Sequence, residues 1–177
     1  NASVDQTRQI LKNKFPQVNL VKNHKNYGYA RALNQGIAAA RGEFIFCLND
    51  DVTLQSRDFL ALASQALVKH SRCGSLQPKL LRPEGTIDTT GIYLSCLRRF
   101  YDLNSGRPDS AGLNQEKYIF GACDAAALYR RQALKDVKQS STYFDEDFFG
   151  LVEDVDISWR LNKKNWACLY LPGVVAL

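Results

Sequence analysis

The sequence predicts a three-layer α/β fold, on two observations. Helical and strand-like patterns alternate through the first half of the chain, and the run Phe44-Ile45-Phe46-Cys47-Leu48 is apolar at consecutive positions. A strand apolar on both faces belongs to a sheet covered on both sides, which flanking helices accomplish. At 177 residues the chain makes one domain of this kind, large enough to bury a core without staples.

The elements follow in order. Val18 to Lys22 reads as a short strand after Pro16. Ala30, Leu33, Ile37 and Ala40 recur at helical spacing, with Gly42 as the stop. The apolar strand comes next and ends abruptly in Asn49-Asp50-Asp51; its composition places it centrally in the sheet. Ser56 is a candidate cap for a second helix with apolar face Phe59, Ala63, Ala66 and Leu67, ended by Gly74. Ser75 to Leu81 reads as extended. Residues 82 to 115, rich in Gly, Pro, Asp and Ser, read as an irregular excursion with a strand around Ile92 to Leu94. Tyr118 to Cys123 and Ala125 to Tyr129 read as buried strands. A third helix is expected from Glu153 to Lys164 with Asn165 as its C-cap, and a last strand from Trp166 to Leu171, closed by Pro172.

Composition narrows the function classes. Hydrophobic residues are 45% and charged residues 23%, ordinary for a globular protein, and no apolar run is long enough to span a bilayer. The net charge of +5 is spread over separate basic pairs, Arg98-Arg99, Arg130-Arg131 and Lys163-Lys164. Nucleic-acid binding needs a stripe of basic residues interleaved with exposed aromatics, so no nucleic-acid partner is expected. A diphosphate ligand or an anionic lipid suits this charge. The five cysteines are odd in number and form no C-x-x-C pair, which fits reduced, buried thiols in a cytoplasmic protein.

Three constellations carry chemistry. Asn49-Asp50-Asp51 ends a strand, and ligands of open α/β sheets gather beyond the carboxyl ends of strands. Adjacent carboxylates there repel unless a cation offsets them, and Mg²⁺ or Mn²⁺ needs one or two carboxylates beside phosphate and water. An ordinary Asp-rich turn explains the motif equally well. The second constellation is the six carboxylates Asp145, Glu146, Asp147, Glu153, Asp154 and Asp156, interleaved with Phe148, Phe149, Leu151 and Val152. A calcium loop fails, because Phe149 stands where an oxygen ligand belongs. Glu153 and Asp154 open a helix, where dipole complementarity alone favours acids, but the apolar residues around them point to a partly desolvated pocket and a general base. The third is Asn26-Tyr27-Gly28-Tyr29-Ala30, with Asn34 and Gly36 further on; Gly28 lets a ligand approach the helix start, and a plain turn into a helix reads equally well.

The order of these segments resembles the family 2 glycosyltransferases of the GT-A fold, closest to their rhamnosyltransferase-like branch. The resemblance rests on the Asn/Gly turn and helix, the strand ending in N-D-D, the F-G-A-C segment at Phe120 to Cys123, and the run E-D-V-D-I-S-W-R from Glu153 to Arg160. It implies a Rossmann-like α/β/α sandwich with a mixed, mostly parallel sheet, spanning residues 1 to 177 as a single catalytic domain. It also implies transfer of a sugar, on resemblance rhamnose, from a nucleoside diphosphate donor to a glycan or lipid-linked acceptor, with inversion. Carried over, Asp51 binds a divalent cation, Mg²⁺ or Mn²⁺, with Asn49 and Asp50 in the same turn. Asp154 is the base, with Glu153 beside it. Gly121 and Ala122 border sugar and acceptor, and Trp159 and Arg160 lie nearby on the catalytic helix. Asn1, in what looks like the turn after the family's second strand, joins Asn26, Gly28, Asn34 and Asp50 on the donor side. The family often has an acid where Asn49 stands. Its first strand, which supplies an acid for base recognition, has no counterpart here, and its metal-binding His is expected just past Leu177, so the domain is expected to be incomplete at both ends. Association with the inner face of the plasma membrane is expected to be peripheral. The alternatives from the residues are a non-catalytic sugar-nucleotide-binding protein and a carbohydrate- or lipid-surface module.

Overall fold

The computed structural model describes residues 1–177. Five helices, α1 (Thr7–Lys14), α2 (Tyr29–Ala39), α3 (Phe59–Lys69), α4 (Arg131–Asp136) and α5 (Glu153–Lys163), accompany eight strands. These are β1 (Phe44–Leu48), β2 (Cys73–Leu81), β3 (Ile87–Thr89), β4 (Ile92–Leu94), β5 (Phe100–Asp102), β6 (Lys117–Ile119), β7 (Ala126–Arg130) and β8 (Ala167–Ala176). The main sheet runs β1-β7-β2-β8-β6, with β3 paired to β2, and β4 and β5 form a separate hairpin. The sheet is mixed: its longest ladder, β2 with β8, is parallel, and β1 shares that direction, while β7, β6 and β3 run against it.

The three layers are present as expected. Ile45 and Cys47 of β1 pack with Ala30 and Ile37 of α2, Leu134 of α4 and Ile157 of α5 on one face. Phe44 and Phe46 pack on the other face with Phe59, Ala63 and Leu67 of α3. The uninterrupted apolar run of β1 is therefore used on both sides. Its place in the sheet differs from the expectation: β1 lies at the end of the strand order, hydrogen-bonded on one edge to β7. Apolar side chains report coverage of the faces and say nothing of the edges.

Other expectations are corrected by pairing geometry. Residues 18–22 form no strand, because no neighbouring segment offers them a ladder, and Val18, Leu20 and Val21 are exposed. Ser56 does not cap α3; its Oγ accepts from the Val175 N–H at 3.4 Å, and Asp58 holds the cap position. Gly74 lies inside β2, where a Cβ would stand 2.8 Å from Trp166 Cβ and 2.9 Å from Ala133 Cβ; the helix has already ended at Lys69. Pro172 does not close β8, which bulges after Leu171 and resumes pairing at Val175 with Lys79, so the missing N–H falls where the ladder is interrupted. β6 is mostly exposed at the sheet edge rather than buried. Asn165 takes φ 60° one residue beyond the helix cap Lys164. The excursion 82–115 is ordered into β3, the β4–β5 hairpin and a short 3-10 turn, strands too brief to show periodicity. Buried Lys79 tethers it to the sheet, donating to both Asp109 oxygens at 2.8 and 2.9 Å and to Asn114 Oδ1 at 2.6 Å. All five cysteines are free, and Cys47, Cys73 and Cys168 are buried.

Candidate active site

The acids that begin α5 are aimed by the residue before them. Val152 adopts φ 64° and ψ 11°, a left-handed conformation that a β-branched side chain rarely takes. The sharp bend swings Glu153 and Asp154 from the preceding loop into the sheet's end. There a cavity of about 360 Å³ is lined by Tyr29, Asn49, Asp124, Glu153 and Asp154 among others. A second cavity, of about 400 Å³, is bordered by Ile92, Phe100, Tyr101, Asp102 and again Asp154. Asp154 stands between the two. A larger cavity, about 620 Å³ between α1 and residues 15–22, is lined by no carboxylate.

Electrostatics single out the same residue. Asp154 Oδ1 accepts from the Val155 N–H at 2.8 Å, yet burial, followed by the Glu153 charge, pushes its pKa up to about 6. Glu153, also buried, is raised by desolvation, and its Oε2 has no partner. Asp124 is raised well above the carboxylate range by burial and then by the Asp154 charge, although Tyr129 donates to its Oδ1 at 2.5 Å; its Oδ2 is unpartnered. The Tyr29 hydroxyl donates to the Asp124 carbonyl at 3.0 Å, closing the floor of the site. Three acids in a low-dielectric pocket cannot all be ionised cheaply, and all three are raised above the usual carboxylate range.

The turn after β1 reaches the cavity through Asn49, whose N–H donates to Ala125 O at 2.9 Å and whose Oδ1 is buried without a partner. Asp50 and Asp51 are exposed beyond it. The turn is held from the far side by Thr53, which exchanges backbone hydrogen bonds with Leu177 at 2.6 and 2.9 Å. No three His, Cys, Asp or Glu side chains converge on a cation position. Asn49 lines the cavity and Asp51 lies outside its lining, so the turn offers oxygens of the type suited to an ion that draws its other ligands from phosphate and water, without a formed cation site.

The remaining predicted residues lie elsewhere or serve the scaffold. Asn1 donates to Gly28 O at 2.9 Å and Asn26 accepts from the Gly28 N–H at 2.9 Å, so both shape the turn before α2. The start of α2 is taken by the chain itself: the Tyr29 and Ala30 N–H groups point at the Phe149 carbonyl, at 2.5 and 3.3 Å. Gly28, at φ 88°, is needed there because a Cβ would meet Phe149 O at 2.5 Å. Asn34 is buried with its amide spent on Tyr143, Phe144 and Glu146. Gly121 packs against Ser158 and accepts from the Ile92 N–H at 2.8 Å, and Ala122 is buried in the core. Trp159 packs edge-on against Phe120, and Arg160 ties Asp156 to the Val137 and Tyr143 carbonyls. Sequence reading missed Asp102 and Asp124, and gave Tyr29, within the third constellation, no role of its own. A lone acid beside the apolar run Ala125 to Leu128 was the available signal for Asp124.

An acid-lined cleft at the end of a mixed α/β sandwich fits the GT-A fold that the sequence predicts. Among solved structures, GalNAc-T7 with UDP, GalNAc and Mn²⁺ superposes with TM-score 0.69 over 95% of this chain and 34% of its own, at 12% identity. The mannosyltransferase PcManGT from Pyrobaculum calidifontis, in complex with GDP-Man and Mn²⁺, superposes with TM-score 0.65 over 99% of this chain and 44% of its own, at 18% identity. The profile described as Glycosyl transferase family 2 matches residues 1–138, and the chain belongs to that family. It is 28% identical to an N-acetylglucosaminyl-diphospho-decaprenol L-rhamnosyltransferase of Mycobacterium tuberculosis, over all of this chain and 64% of the relative. It is 26% identical to a poly-beta-1,6-N-acetyl-D-glucosamine synthase of Staphylococcus epidermidis, over 97% of this chain and 39% of the relative. The chain thus spans less than two thirds of the length of these relatives.

Proposed function

We propose that residues 1–177 form the catalytic domain of an inverting glycosyltransferase that moves a sugar from a nucleoside diphosphate donor to a glycan or lipid-linked acceptor. The observation that carries this reading is Asp154, a carboxylate at the junction of two cavities with its pKa pushed up to about 6. A base of that strength is ionised at neutral pH and still basic enough to draw a proton from a hydroxyl. The cavity with Asn49, Glu153 and Asp124 takes the donor sugar, and the cavity walled by the β4–β5 hairpin takes the acceptor. Asp154 Oδ1 is engaged by the Val155 N–H, which leaves Oδ2 for the acceptor hydroxyl. As the proton passes to Oδ2, the acceptor oxygen attacks the anomeric carbon opposite the leaving group. The bond from that carbon to the phosphate oxygen breaks, and its electron pair departs with the diphosphate. Asp51 and Asn49 would hold a divalent cation, which when bound supplies Lewis-acid stabilisation of the leaving diphosphate. L-rhamnose is the donor sugar favoured by the name of the Mycobacterium tuberculosis relative, and the lipid-linked acceptor in that name supports a reaction at a membrane surface, on our reading its inner face.

The test uses the full-length protein with a panel of nucleoside diphosphate sugars and glycan acceptors, with Mn²⁺ or EDTA, reading release of the nucleoside diphosphate. Metal-dependent turnover of one donor, lost in Asp51→Ala and Asp154→Asn, supports the reading. Turnover of no donor by the wild type refutes it in favour of a binding protein, and retention at the anomeric carbon refutes the displacement mechanism.

A further inference from the structure

The β4–β5 hairpin has an order of chemistry along its length that the transfer reaction does not require. At its base, Ile92 and Asp102 border the cavity that contains Asp154. Phe100 and Tyr101 continue that border, and Tyr101 pairs across the ladder with Tyr93. At the tip stand Leu97, Arg98 and Arg99, closed into a turn by the Ser95 N–H on Arg99 O at 2.8 Å and the Arg98 N–H on Ser95 O at 2.9 Å. Leu97 is 75% exposed, Tyr101 52% and Phe100 44%. Neither arginine pairs with a carboxylate, and no acid lies between Ile92 and Tyr101. An apolar tip with two free guanidinium groups, on an element that packs little of its own surface, is an exposed recognition surface rather than a core edge.

Resting on the transferase reading, we infer that this hairpin binds the diphosphate–lipid part of the acceptor, with Arg98 and Arg99 on the diphosphate and Leu97 on the lipid. A lipid-linked glycan presents, in sequence, a hydroxyl, a sugar ring, a diphosphate and an isoprenoid. The hairpin presents, in the same sequence away from the base Asp154, the cavity end with Asp102, the aromatic stretch of Tyr101 and Phe100, and a tip carrying Arg99, Arg98 and the exposed Leu97. Guanidinium forks match phosphate oxygens, and their charge is complementary to a diphosphate. The tip thereby selects lipid-linked over free glycan, and this chain contributes its own residues to the lipid interface.

Farnesyl diphosphate, which carries both chemistries and no sugar, is the probe. Its binding to the full-length protein is measured by calorimetry in EDTA, beside inorganic diphosphate and farnesol. The wild type is expected to bind farnesyl diphosphate more tightly than either control. The R98A/R99A double variant should weaken it about 25-fold, at roughly fivefold per exposed arginine, and Leu97→Ser by about tenfold. All three positions are exposed, so thermal unfolding should not change. Affinity unaltered by the substitutions, or a wild type that does not distinguish farnesyl diphosphate from inorganic diphosphate, overturns the assignment. If donor turnover persists in the same preparation, the transferase reading stands without it; if no donor is turned over, both fall.

Discussion

Replacing Asp154 with Asn separates chemistry from stability, because the same burial controls both. Its pKa is raised from 3.8 to about 6, a shift equivalent to roughly 3 kcal/mol. The folded state therefore holds the proton more tightly than the unfolded state does. Stability is full below about pH 4, falls as pH rises towards 6, and stays reduced above it. Asn carries no charge at any pH, so Asp154→Asn should be more stable than wild type at pH 8, by up to about 3 kcal/mol, with that gain gone at pH 4. Turnover should meanwhile drop by roughly 10²–10⁴-fold, the contribution of a positioned base. Wild-type kcat/KM should rise with an apparent pKa near 6. Glu153 and Asp124 share the pocket, so that step belongs to the cluster. Urea unfolding at the two pH values, with a pH–rate profile, decides the matter. A variant less stable than wild type at pH 8, or one that keeps the wild-type rate, would refute the account of Asp154 as a desolvated base.

Other perturbations test the parts around it. Asp51→Ala should leave the unfolding free energy within about 0.5 kcal/mol of wild type, because the side chain is exposed, while abolishing metal-dependent turnover. Gly28→Ala should lose about 1–3 kcal/mol of stability, since a Cβ would stand 2.5 Å from Phe149 O at a backbone φ of 88°. Hydrogen exchange should show faster exchange at the Tyr29 and Ala30 amides, and unchanged protection there contradicts the contact. Asn34→Ala should lose about 2–4 kcal/mol in urea unfolding, because it strands the part-buried Tyr143 N–H and the buried Phe144 N–H and carbonyl.

Legibility differed by the range of the interaction that decides each feature. β1 and α2 were readable because Phe44 to Leu48 and Ala30 to Ile37 declare their covered faces within a few residues. Glu153 and Asp154 were readable as a pair at a helix start. Asn34 and Arg160 were misplaced in function because their side chains are spent on carbonyls and N–H groups more than a dozen positions away. The start of α2 looked free for an anion until Phe149, far along the chain, delivered its carbonyl.

By itself, then, the sequence determined the layers, the helix carrying the acids and the strand ending in Asn49-Asp50-Asp51, since periodicity and local charge are properties of adjacent residues. Tertiary structure alone decided that Asp124 joins Asp154, that the β4–β5 hairpin walls the second cavity, and that β8 runs through Pro172 to hold the Thr53 turn. Those outcomes depend on which distant segments close on one another, and on the desolvation that closure imposes, neither of which is written in local pattern.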